Sequence, residues 1–88
     1  MKRTHTTITV GNTSTLVLAA DLKREHLLLI NDSDEIIYIS FGQPAVANTG
    51  IRLNAAGGSF EMTDTVYQQA IYGICASGSK KLLVTSGK

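Results

Sequence analysis

The apolar residues of this chain recur at every second position in short runs closed by Gly, Asn, Asp or Ser, and no stretch keeps a helical spacing for three turns. A period of two puts alternate side chains on opposite faces, which is the geometry of a strand. Such runs cover residues 4–10, 15–19, 26–31, 36–41, 51–53, 59–63, 70–76 and 80–85. About eight short strands with polar turns predict an all-β fold, a small antiparallel β-sandwich or a jelly-roll-like barrel. The one rival helix, residues 65–71, is short, and Val66, Tyr67 and Ile71 favour a strand. The Asp32-Ser33-Asp34-Glu35 turn predicts a hairpin joining 26–31 to 36–41. Ser77-Gly78-Ser79 predicts a second hairpin joining 70–76 to 80–85. Residues 21–25 read as a polar connection, and 42–50 as a longer loop around the sole proline.

With 88 residues the chain fits one domain, 1–88, in which residues 1–7 could serve as a flexible arm. A domain of this size has a modest core and commonly gains stability from disulfides, metals or partner subunits. Cys75 is the only cysteine, so no disulfide forms within the chain; its apolar surroundings predict a buried, inert thiol. Net charge is +1, which gives no strong field toward nucleic acid or an anionic membrane. The apolar run Leu27-Leu28-Leu29-Ile30 is far too short to cross a bilayer, and no secretory signal is expected after the basic start. The sequence predicts neither nucleic-acid nor membrane partners.

Strand faces carry the main functional hint. A strand with one wet face alternates apolar and polar residues, as 59–63 does. Three other strands are apolar on both faces. Leu28 and Ile30 oppose Leu27 and Leu29; Ile36 and Tyr38 oppose Ile37, Ile39 and Phe41; Tyr72 and Ile74 oppose Ile71 and Cys75. Leu28, Ile30, Ile36, Tyr38, Tyr72 and Ile74 are therefore the expected oligomer or partner interface, in a homo-oligomer such as a dimer or trimer. The competing reading is that loops and strand ends cover them.

Catalytic patterns are thin. His5 and His26 lack a metal-ligand spacing, and the Asp32 to Glu35 turn lacks the glycine and distal glutamate of an EF-hand. No serine sits in a GxSxG turn, and Gly57-Gly58 lacks the lysine of a phosphate-binding loop. Glu61 and Asp64 would act together only if the fold aligned them. Lys2, Arg3, Lys80 and Lys81 would cluster if the first and last strands paired, without the interleaved aromatics of a nucleic-acid site. No enzyme activity, cofactor or metal is expected.

The order of features also resembles a known family. Thr7 to Ala20, Lys23-Arg24-Glu25-His26 before Leu27 to Asn31, Ile37 to Gly42, Gly50-Ile51-Arg52-Leu53, Ala56-Gly57-Gly58-Ser59, Val66-Tyr67 and Ala70 to Ile74 follow one another across nearly the whole chain. This series resembles small β-sandwich virion proteins of tailed bacteriophages, of the head-decoration or head-fibre-base type. The resemblance implies a capsid decoration (cementing) protein, homo-oligomeric, that binds the major capsid protein on the outside of the head and stabilises the shell. It implies a place on the virion after synthesis in the bacterial host cytoplasm. Arg24 matches the family's basic residue before the third strand and Asn31 its polar strand end, whereas the acidic turn departs from a Gly/Thr-rich one. Capsid contact is expected from the N-terminal arm, with Lys2 and Arg3, and from the 42–50 loop, with Pro44 and Val46. Two alternatives stand beside this. One is a tail, neck or fibre-attachment module or a host-surface carbohydrate binder using Tyr38, Tyr67, Tyr72 or Phe41. The other is a small cupin-like metal-binding barrel.

Overall fold

A computed structural model describes residues 3–63 and 66–87. Among the described residues there are eight strands and no helix: β1 (Arg3–Val10), β2 (Thr15–Leu18), β3 (His26–Asn31), β4 (Ile37–Phe41), β5 (Ile51–Leu53), β6 (Ser59–Met62), β7 (Ile71–Cys75) and β8 (Lys80–Gly87). They form two four-stranded antiparallel sheets, ordered β1-β8-β3-β6 and β2-β7-β4-β5. Strands β1 and β8, β2 and β7, β3 and β6, and β4 and β5 pair as nested hairpins. Rolling that ribbon up adds the contacts of β8 with β3 and of β7 with β4. This is the jelly-roll order of a β-sandwich.

The topology corrects both expected hairpins. Strands β3 and β4 lie in different sheets, and so do β7 and β8. The reason lies in their inward residues. Leu27 and Leu29 of β3 and Ile37 and Ile39 of β4 are all fully buried, and each pair is covered by placing the strands in opposite layers. The acidic turn is thus a crossing between layers. Val10, Val17, Leu53, Ile71, Cys75, Leu82 and Val84 complete the core. Cys75 is buried as expected, its thiol donating to the Val10 and Gly11 carbonyls at 3.3 and 3.4 Å.

Residues 3–7, expected as part of an arm, are instead strand: Arg3 pairs with Gly87 and the ladder runs unbroken to Val10 and Lys80. Threonines and a β-branched isoleucine suit that extended edge position. Met1 and Lys2 lie outside the described residues. The part of the rival helix that is described, 66–71, is not helical, and Ile71 begins β7.

Two buried polar side chains set the loops. Asn31, at the end of β3, donates through Nδ2 to the carbonyls of Glu35 at 2.6 Å and Leu53 at 2.9 Å, while Ser33 Oγ donates to its Oδ1 at 2.6 Å. Leu53 belongs to the other sheet, so Asn31 ties the layers together at that end. At the opposite end Arg24, 2% exposed, donates to the carbonyls of Ala19 at 2.6 Å, Tyr67 at 2.8 Å and Gln69 at 3.3 Å. Burial pushes its guanidinium pKa down from the ordinary value, and the charge of Asp21 pushes it partly back. The clamp holds Tyr67 where its ring stacks on Phe41, with centroids 4.9 Å apart, and Phe41 in turn meets Phe60 at 5.9 Å. These rings close that end of the core.

Candidate functional site

The six expected interface residues are all half-buried and outward-facing, but they fall on opposite sides of the sandwich. Leu28 and Ile30 stand on the outside of the first sheet. The cross-strand register there gives one row of Thr7, Leu83, Ile30 and Ser59, and another of His5, Thr85, Leu28 and Glu61. His5 Nδ1 is 2.9 Å from Thr85 Oγ1, and a shallow groove of about 210 Å³ runs between these rows.

Tyr38, Tyr72 and Ile74 stand on the outside of the second sheet, with Ile36 just before β4. Here the rows are Leu16, Tyr72 and Ser40, then Ile74, Tyr38 and Arg52. Leu16 is 51% exposed and was not anticipated; its alternation with buried Val17 was the available signal. The 42–50 loop is drawn back along this side by two tethers. The Ala45 N–H donates to Ser14 Oγ at 2.8 Å, and Tyr38 OH donates to Asn48 Oδ1 at 2.9 Å. Ala45 is buried by this, while Pro44 and Val46 stay exposed, Val46 at 59%. Part of the second face is thus covered by the chain's own loop. Between loop and sheet lies a hollow of about 550 Å³ walled by Ile36, Tyr38, Ala47, Asn48, Ala55 and Ala76. Sequence reasoning missed this hollow, because its walls come from segments far apart in the chain.

The acidic crossing borders that hollow. Lys80 Nζ donates to Asp34 Oδ1 at 2.7 Å, and the Ser77 N–H donates to Glu35 Oε1 at 3.1 Å while the Ser77 hydroxyl donates to Oε2. The hydrogen bond from Lys80 lowers the pKa of Asp34, those from Ser77 lower that of Glu35, and Asp34 raises that of Lys80. The turn is therefore anchored to Ser77 and to the start of β8.

Among the described residues, the charged side chains at the two ends of the β1–β8 ribbon stay apart. Strands β1 and β8 do pair, but antiparallel, so Arg3 lies beside Gly87 and Lys80 beside Val10, at opposite ends of the ribbon. His26 Nε2 is 2.8 Å from Glu61 Oε2, and its Nδ1 is buried without a hydrogen-bond partner among the described residues. Asp64 lies outside the described residues. Among the described residues no three His, Cys, Asp or Glu side chains come together as metal ligands. A cupin-type site would need ligands inside the barrel, whereas His5 and His26 belong to the outer side of the first sheet and the interior is filled by aliphatic side chains. No described helix is long and apolar enough to cross a membrane. Searches of protein-family models, curated proteins and solved structures found no match to the chain.

Proposed function

We propose that this chain is a capsid decoration (cementing) protein of a tailed bacteriophage that docks on the major capsid protein through the outer side of its second sheet. The observation that carries the reading is the pair of apolar rows on that side, Leu16 with Tyr72 and Ile74 with Tyr38, beside a loop that exposes Pro44 and Val46. Apolar surface of this kind, exposed at Leu16 and Val46 and half-buried at Tyr38, Tyr72 and Ile74, suits a protein partner. The resemblance of the sequence to small virion β-sandwiches supports the choice of partner. Arg3 belongs to the other sheet, so it is not part of this docking surface. Cementing is then mechanical: each copy bridges neighbouring capsid subunits, and its binding energy is added to the state of the shell that it recognises.

The test mixes the purified chain with undecorated heads of its phage. Saturable binding and a raised melting temperature of the shell are expected, both lost in Leu16→Asp combined with Val46→Asp. Heads that neither bind the chain nor gain stability overturn the reading. The glycan-binding alternative now points to Tyr38 at the hollow, since Tyr67 is stacked on Phe41. Glycan-array binding lost in Tyr38→Ala, with no binding to heads, would replace the capsid reading.

A further inference from the structure

We propose that β1 is a self-association edge, at which two copies of this chain join antiparallel into one continuous eight-stranded sheet. Among the described residues, strand β1 bonds only to β8, on one side, and its other side has no strand neighbour. It spans eight residues, whereas the other edge strands β2, β5 and β6 span four, three and four. A long unpaired edge presents a row of free N–H and C=O groups that another strand can satisfy, and proteins that avoid such pairing blunt their edges with proline, lysine, bulges or short strands. None of these devices interrupts β1. Its ladder with β8 is regular from Arg3 to Val10, residues 3–7 and Thr9 are exposed, and the central Thr6-Thr7-Ile8-Thr9 carries no charge.

Charge and symmetry select a second copy and its direction. Parallel pairing would set Arg3 against Arg3. Antiparallel pairing sends the two Arg3 side chains to opposite ends and places no like charges face to face. A two-fold axis perpendicular to the sheet keeps the two cores on the same side, so facing residues must share a parity. The strand centre then allows two registers, with the axis through Thr6 or through Thr7. Either one pairs a threonine with its own copy, a favourable cross-strand contact. The edge is separate from the proposed capsid-facing side, so each proposal can fail without the other.

Sedimentation of the full chain from micromolar to millimolar concentration should show a reversible monomer–dimer equilibrium. The Thr6→Lys, Thr7→Lys double variant sets lysines against each other in both registers and should be monomeric, with its circular dichroism and unfolding temperature kept. As a second approach, Thr6→Cys and Thr7→Cys are oxidised separately. One of them should give a disulfide-linked dimer in high yield, while native Cys75 stays buried and unlinked. A native chain that is monomeric throughout overturns the proposal. So does a dimer that survives the lysine pair, or one that neither cysteine can trap.

Discussion

Asn31 shows how a single amide can hold two layers together. Removing its side chain leaves the buried Leu53 carbonyl without its donor, while Ser33 Oγ, 3.0 Å from the Glu35 carbonyl, still serves that one. A buried unsatisfied group costs about 1–3 kcal/mol, so Asn31→Ala should lower stability by about that much in urea unfolding. Arg24 acts similarly at the other end. Arg24→Met keeps the apolar stem but abandons three carbonyls, and amide exchange should quicken across residues 66–70 before it changes in the core strands. The polarity of both positions was legible in the sequence, but their roles were not. Asn31 reaches a carbonyl 22 residues away and Arg24 one 43 residues away, and no local pattern encodes such distances. Gly58 is a similar case. A Cβ there would collide with the Asn54 backbone, so it is close approach, and not a positive φ, that makes glycine necessary at this position.

Among the elements, the acidic crossing has a definite pH signature. Asp34 and Glu35 titrate below their ordinary values in the folded chain. Such carboxylates add stability above their unfolded pKa, and that share is lost as pH falls through the lowered folded value. Glu35→Gln should therefore melt below the native chain at neutral pH, and the gap should close in acid. Lys80 has the opposite sign: its pKa is raised, so its share is present below the ordinary lysine value and lost as pH climbs through the raised one. Melting curves of native, Glu35→Gln and Lys80→Met chains across pH would check both limbs. Strand positions were readable because alternation is local. The pairing of strands was not, since a short polar turn between two apolar runs can close a hairpin or cross between layers. Apolar inward faces on both β3 and β4 decided for crossing.

For the whole molecule, the nested topology governs how the chain must fold. Its outermost pair joins β1 to β8, so loop-closure entropy is spent before that ladder forms. All-β domains with such distant pairings refold in about milliseconds to seconds, and stopped-flow refolding of this chain should fall in that range. The same topology explains why the six expected interface residues do not share one surface. Two-sided apolar strands were evident from the sequence, but alternate placement of β3 in one sheet and of β4 and β7 in the other sends their outer residues to opposite sides.

The β1–β8 ribbon also gives the molecule a direction in which it is mechanically weak. Arg3 and Gly87 pair at one end of it, and Val10 and Lys80 at the other. Tension applied at Arg3 and Gly87 acts across the ladder, so the rungs are loaded one at a time and the strands peel apart. Tension applied at Arg3 and Lys80 runs along the strands, and all the rungs share it in shear. The same eight-residue ladder would yield at low force in the first geometry and resist in the second.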